Sequence, residues 1–373
     1  MSRRIWLSPS HLSGQEKKYI YDAFDANWIA PLGPNVGEFE NSLQQYIAKE
    51  KYCTALNSGT SAIHLALILA GVSKGDTVLC QSFTFCASAN PILYVGAKPV
   101  FVDSERDTWN MCPQLLEKAI QERLALGKKP KAMIAVNGYG MPYKVDEIQA
   151  LSEKYEIPII EDAAGALGSS VNKQKCGSFG DYGVISFNGN KIITTSSGGV
   201  LICKDKETQQ KAIFLGTQAK DNEVHYQHSE LGYNYRMTNI IAGIGRGQLA
   251  VLDERVHARR ANFEFYKREL AHISEIQFLE EPVGFFSNRW LTCMLTPSFE
   301  MREQIRLALE SENIESRPLW KPMHQQPLFS KYESYTNGVS EELFKRGLCL
   351  PSGSNLTNAE LLRIVNCIKN TFE

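Results

Sequence analysis

Apolar positions along this chain fall into short blocks separated by longer amphipathic stretches. Seven blocks, Tyr52–Asn57, Thr77–Ser82, Pro99–Asp103, Lys131–Val136, Ile157–Glu161, Gly183–Phe187 and Gly199–Cys203, are bounded by turn-forming residues and predict strands. Thr60–Ala70, Ala87–Val95, Cys112–Leu126 and Val145–Tyr155 lie between them and predict helices. Strand alternating with helix at this spacing predicts an α/β fold, with a seven-stranded, mostly parallel sheet and helices on both faces. The last two strands have only a turn between them, so that region departs from simple winding.

The flanks read differently. Helical patterns at about Gly14–Phe24 and Val36–Ala48 bracket a loop at 27–36. Its Pro31, Gly33 and Pro34 exclude a helix, yet it carries Trp28, Ile29 and Leu32. Such side chains pack either on the protein's own core or on a partner or ligand. After Cys203 a helix at Lys206–Phe214 and a polar loop lead into one long helical run, Asn239–Leu270. Short strands (Ile276–Leu279, Trp290–Leu295) and helices (Met301–Glu312, Ser340–Gly347, Asn358–Thr371) follow. This predicts a large unit over 1–245 and a smaller C-terminal α+β unit over 246–373.

Composition narrows the function classes. The 373 residues are 43% hydrophobic and 22% charged, ordinary for a globular protein, and the formal net charge is −1. No basic stripe points to nucleic acid. The nine cysteines are scattered without a C-x-x-C pair, which fits reduced thiols better than a disulfide framework or a metal site. With no apolar signal core and no membrane-length run, a cytoplasmic enzyme is expected.

In a parallel sheet, ligands collect at the carboxyl ends of the strands. After the first strand comes Asn57-Ser58-Gly59-Thr60-Ser61 and then an apolar helix. Free N–H groups at such a helix start can hold a phosphate, although a plain helix cap would look the same. After the second strand, Phe83 and Phe85 offer an aromatic plate or core packing. The fifth strand ends in Glu161 and Asp162, and a carboxylate at that depth needs a cation. After the sixth comes G-V-I-S-F-N-G-N-K-I-I-T-T-S-S-G-G-V, with Lys191 among hydroxyls and amides. Alone, Lys191 reads equally as an exposed hairpin lysine. On one rim with an anion site, an aromatic plate and an acid, it suits a flat phosphorylated aldehyde with a basic ring nitrogen, pyridoxal 5'-phosphate.

The motifs N-S-G-T-S-A-I-H-L-A-L, S-F-T-F-C-A-S, I-E-D-A-A-G-A-L-G, F-G-D-Y-G-V-I-S-F-N-G-N-K and G-Y-N-Y-R-M-T-N together resemble the DegT-type nucleotide-sugar aminotransferases over nearly the whole chain. These are fold-type I pyridoxal-phosphate enzymes with the aspartate aminotransferase-like fold. L-S-P-S-H-L-S-G, N-W-I-A-P-L-G-P and R-P-L-W-K-P-M-H are most similar to the carbon-4 aminotransferases of the UDP-N-acetylbacillosamine pathway.

The resemblance implies that Lys191 is the Schiff-base lysine and Asp162 the acid facing the pyridine nitrogen. It implies phosphate contacts from Gly59, Thr60 and Ser186, and ring stacking from Phe85. Asn234 matches a residue that reaches the neighbouring subunit's phosphate, which implies a homodimer with shared active sites. His324 matches a histidine near the sugar. Trp28, Ile29 and Pro31 in the 27–36 loop, and Asn288 and Arg289 in Ser287-Asn288-Arg289-Trp290, are candidate nucleotide-sugar contacts. The implied reaction moves an amino group from L-glutamate to carbon 4 of a UDP-4-keto-6-deoxy-N-acetylhexosamine. One position departs. Similar sequences usually carry glutamine, glutamate or histidine three residues after the aspartate, and here Gly165 stands there. A water or a neighbouring polar side chain is expected to fill that gap, and the alternative is a catalytically altered or regulatory protein on the same fold. Sugar dehydratases of this fold carry histidine in place of the lysine, so Lys191 argues against that activity.

Overall fold

The computed structural model describes residues 3–372. The seven long strands form within a residue or two of the expected positions: β1 (Tyr52–Leu56), β2 (Thr77–Gln81), β3 (Lys98–Val102), β4 (Ala132–Val136), β5 (Ile159–Asp162), β6 (Tyr182–Ser186) and β7 (Gly199–Cys203). They lie in the order β1-β7-β6-β5-β4-β2-β3. An eighth strand, β8 (Ser334–Tyr335), returns from the C-terminal part and pairs in parallel with β3, so the sheet is eight-stranded. Only β7 runs antiparallel to its neighbours. The turn that replaces a crossover helix between β6 and β7 causes that reversal, and it carries Lys191.

Each strand is apolar on both sides because helices cover both faces. Phe39, Leu43, Leu116, Ile120 and Ile148 pack against Leu79, Met133, Ile159 and Ile185 on one face. Leu65, Ile92 and Leu215 pack against Val78, Cys80, Ile160 and Val184 on the other. Successive strand residues point to opposite faces, so Glu161 and Asp162 diverge at the end of β5. Glu161 is fully buried and accepts from Asn137 Nδ2 and the amides of Gly177, Phe179 and Gly180. Asp162 is left for the opposite side.

The long run expected over Asn239–Leu270 is two helices, Asn239–Leu249 and Leu252–Glu269. The first packs closely on the N-terminal helices through small residues: a Cβ on Gly245 would stand 2.6 Å from Phe39. The second follows the C-terminal layer, where Phe263 and Tyr266 are buried, and the break lets each half follow its own surface. The division expected at 245/246 lies inside the first helix, and the turn at 250–251 is the nearer break between elements.

A second, antiparallel sheet contains Gln277–Phe278, Thr292–Leu295, Gly347–Leu350 and Arg317–Pro318. Its core also takes Ile5, which bridges to Ile314, so the start of the chain packs with its C-terminal part. Gly347, expected as a helix end, opens a strand instead, paired with Leu295, and the close approach of Leu319 leaves no room for a Cβ there. Among the described residues no helix is long and apolar enough to cross a membrane.

Candidate active site

A cavity of about 860 Å³ opens at the carboxyl ends of the central strands. Gly59, Thr60, Phe85, Asp162, Ser186 and Lys191, distant in sequence, all line it. So do Trp6 to Pro9 from the opening segment and Trp290, Arg317, Trp320 and Cys349 from the C-terminal part.

The helix Gly59–Leu69 starts at the cavity wall. Ser58 caps it, accepting from the Ser61 amide at 3.0 Å. Capping therefore leaves the first helical amides, at Gly59 and Thr60, pointing out of the helix start toward the cavity, an anion cradle. Ser186 closes it from β6, and a Cβ on Gly59 would stand 3.2 Å from Ser186 Cβ. Gly199 lies beneath: a Cβ there would overlap the Ser58 carbonyl carbon and the Gly59 nitrogen.

Asp162 is buried at the far end of the cavity. Ser88 Oγ donates to its Oδ2 at 2.6 Å, and the Ala164 amide donates to Oδ1 at 3.1 Å. Burial pushes its proton affinity up, while the Ser88 and Ala164 hydrogen bonds and the Lys191 charge pull it back. A cation beside it would complete that compensation.

Lys191 is half-buried, its amine enclosed at the cavity floor. The turn that holds it is tied down by Lys191 N to Asn188 O (2.9 Å), Thr195 N to Phe187 O (3.0 Å) and Phe187 N to Gly198 O (2.9 Å). Burial pushes the amine's pKa down to about 8, with Asp162 acting in the opposite sense. That amine gives up its proton far more readily than a surface lysine does. The exposed-hairpin alternative does not describe this side chain.

The other sequence candidates lie elsewhere. Asn288 and Arg289 do not line the cavity. Asn288 is fully buried and its Nδ2 donates to the Gly165 and Leu167 carbonyls at 2.9 Å each. Arg289 is buried over the Phe263 ring and donates to the Leu279 carbonyl at 2.7 Å. Through these hydrogen bonds to backbone, both support the wall behind the cavity. His324 sits outside the lining, between Ser82 Oγ (2.7 Å) and Glu341 (3.2 Å). Trp28, Ile29 and Pro31 are exposed on a loop anchored by Asn239, and Asn234 is exposed as well. Within one chain, none of these four reaches the cavity.

Gly165 overturns one expectation. Neither a water nor a polar side chain is needed to fill its place, because the Trp290 indole covers it: a Cβ on Gly165 would stand 2.6 Å from Trp290 Cε3. Tyr139 and Trp320 continue this aromatic wall, stacked at 4.0 Å, with Trp320 N donating to Tyr139 Oη at 2.7 Å. Sequence reasoning missed Ser88, Tyr139 and Trp320. Ser88 had a signal, being one helical turn past the aromatic plate.

The cradle, the buried acid and the readily deprotonated lysine fit pyridoxal phosphate: Gly59, Thr60 and Ser186 would hold the phosphate, Asp162 the ring nitrogen and Lys191 the aldehyde carbon. Fold and site together define a fold-type I pyridoxal-phosphate aminotransferase. The chain belongs to the DegT/DnrJ/EryC1/StrS aminotransferase family, whose pattern matches residues 11–369. It is 52% identical to EpsN of Bacillus subtilis, assigned as a pyridoxal phosphate-dependent aminotransferase, over 100% of this chain and 97% of that one. It is 36% identical to the GDP-perosamine synthase of Escherichia coli O157:H7 over 97% of this chain and 96% of that one. A protein of Streptococcus pneumoniae assigned as a sugar aminotransferase, solved in its pyridoxamine-phosphate form, superposes with a TM-score of 0.92 at 28% identity, covering 99% of this chain and 98% of that one.

Proposed function

We propose that this enzyme transfers an amino group from L-glutamate to carbon 4 of a UDP-4-keto-6-deoxy-N-acetylhexosamine, for bacterial glycan or polysaccharide synthesis. The carrying observation is one cavity that holds an anion cradle, a buried carboxylate and a lysine amine with a pKa near 8. Support for the UDP sugar comes from the motifs in the opening segment, the 27–36 loop and residues 317–324. The relative that makes GDP-perosamine keeps a GDP sugar as the competing acceptor.

Bound pyridoxal phosphate supplies an electron sink for the charge that develops when a proton leaves the amino donor's alpha carbon. Asp162 would pair with the protonated ring nitrogen, and Ser88 holds that carboxylate in place. The Gly59 and Thr60 amides and Ser186 would hold the phosphate end. Lys191 would anchor the aldehyde carbon in the resting enzyme. When the donor takes that place, the freed Nζ would be the base that removes the proton from the donor's alpha carbon and the acid that returns it on the cofactor side. Water would release the donor as its 2-oxo acid and leave the amino group in the site, and the reverse sequence would pass that group to the sugar ketone, whose oxygen departs as water. Tyr139, Trp290 and Trp320 line one side of the cavity as an aromatic wall.

The protein acts as a homodimer in this reading. Trp28, Ile29 and Leu32 are 42%, 56% and 67% exposed on a well-anchored loop, which suits a surface that a second copy covers. That loop and Asn234 would then serve the partner's cavity.

The test is an assay of the purified enzyme with L-glutamate and a panel of UDP- and GDP-linked 4-keto sugars, read by product mass and 2-oxoglutarate release. Amination of a UDP-N-acetyl keto sugar is expected. Amination of GDP sugars alone would overturn the acceptor assignment, and no 2-oxoglutarate with any acceptor would overturn the reaction.

A further inference from the structure

Trp290 links Gly165 to Lys191. Its indole lies across the Gly165 alpha carbon, with Cε3 at 2.6 Å and Cζ3 at 3.0 Å from a built Cβ. On the same indole, Lys191 Nζ lies 3.7 Å from the ring centroid. Its Nε1 donates to the carbonyl of Asn190, the residue before the lysine, at 2.7 Å.

The ring is held rigidly from behind. The Trp290 amide donates to Asn288 Oδ1 at 2.9 Å, and Asn288 Nδ2 ties the same unit to the Gly165 carbonyl. Arg259 donates to the Trp290 carbonyl at 2.5 Å and reaches the Lys191 carbonyl at 3.5 Å. Ser8 links these groups, accepting from Arg259 at 3.0 Å and donating to the Asn190 carbonyl at 2.7 Å. A side chain tied to both flanks of the lysine turn sets where the amine can go.

We infer that Trp290 is a positioning residue for Lys191: its indole face holds the free ammonium whenever the lysine is not bonded to the cofactor, and glycine stands at 165 to admit that indole. This rests on the function proposed above. A buried ammonium over an aromatic face gains electrostatic stabilisation that water no longer supplies. Asp162 is the charged group that acts on that ammonium; Tyr139, Cys349, Glu315 and Arg317 line the same cavity, and Arg259 reaches the Lys191 carbonyl. Removing the indole's negative face leaves the ammonium less compensated, so it loses its proton at lower pH. Donor binding should be spared, because the contact matters when the lysine is free.

The test uses enzyme loaded with pyridoxamine phosphate, in which the Lys191 amine is free. Competitive acetylation across pH, read by mass spectrometry of the Lys191 peptide, gives the amine's midpoint. The native enzyme is expected to titrate below an ordinary lysine. Trp290→Leu keeps an apolar filler without the ring and should shift the midpoint down by about one pH unit, while Trp290→Phe shifts it by less than half of that. Gly165→Ala should resemble Trp290→Leu by displacing the indole, which provides a second route if the leucine variant folds poorly. In steady state the leucine variant should lose about tenfold in kcat with donor KM unchanged, and phenylalanine should restore most of it. An unchanged midpoint in both Trp290→Leu and Gly165→Ala, or a loss confined to KM, would overturn the inference. Activity surviving in Lys191→Ala would instead overturn the underlying reaction, so the two failures are separable.

Discussion

Ser88 Oγ donates to Asp162 Oδ2 at 2.6 Å from the first turn of the helix Cys86–Tyr94, linking the end of β2 to the end of β5 beneath the cavity. A hydrogen bond to a charged group contributes more than one between neutral partners, and this one steadies the form of Asp162 that the reaction needs. Ser88→Ala should lower kcat/KM roughly tenfold. The sign of the pH effect follows from the charge. The serine favours the carboxylate, so its loss raises an Asp162 proton affinity that burial has already raised. The acidic limb of the pH–rate profile should therefore move to higher pH, and an unmoved limb would show that Ser88 does not tune Asp162.

Asp162→Asn removes the charge itself. The pyridine nitrogen would lose its partner in a buried site, at a cost of about 3–5 kcal/mol, or roughly 10² to 10⁴-fold in turnover. The variant should still bind cofactor through the phosphate cradle, so its visible absorption should persist while turnover falls. Near-native turnover would place the essential acid elsewhere.

Gly199→Ala tests the cradle from below. The added methyl overlaps Ser58 and Gly59 backbone, which has no rotamer by which to yield. Overpacking of this kind costs about 1–3 kcal/mol. The displaced atoms carry the anion-binding amides, so cofactor retention on dialysis should fall along with Tm. Gly59→Ala meets only a Ser186 Cβ at 3.2 Å and should be milder.

The main sheet was legible because a strand buried on both faces is a continuous apolar run between turn signals, as in Thr77–Gln81 and Ala132–Val136. Two-residue strands such as Ser334–Tyr335 and Arg317–Pro318 are too short for any periodicity, which is why β8 was missed. Lys191, Asp162 and Gly59 were legible because each follows its own strand end, where the fold places ligands. Trp290 and Trp320 fell inside segments marked by resemblance, but their place in the cavity wall was not legible, since they reach it from the C-terminal part. Asn288 and Arg289 were named from the resemblance alone, and a sequence does not show that their side chains donate to backbone carbonyls behind the cavity.

The tie between β1 and the 234–236 segment can be tested through stability. Glu40 forms a bidentate, mostly buried ion pair with Arg236 and accepts from the Ala55 amide at 2.6 Å. Arg236 in turn donates to the Ala55 carbonyl at 2.9 Å, so the pair fastens β1 to the segment that carries Asn234. Glu40→Ala strands a buried guanidinium and should lower stability by about 3–5 kcal/mol. Denaturant unfolding measures this directly, and a loss under about 1 kcal/mol, the range of exposed pairs, would show that water screens the pair.

The central claim is that Lys191 carries the cofactor. Borohydride reduction of the freshly purified holoenzyme, followed by digestion and mass spectrometry, tests it in one measurement. A pyridoxyl-phosphate mass on the Lys191 peptide, and on no other, is the predicted result. A modified lysine elsewhere, or none in enzyme that shows the cofactor's absorption, would contradict it.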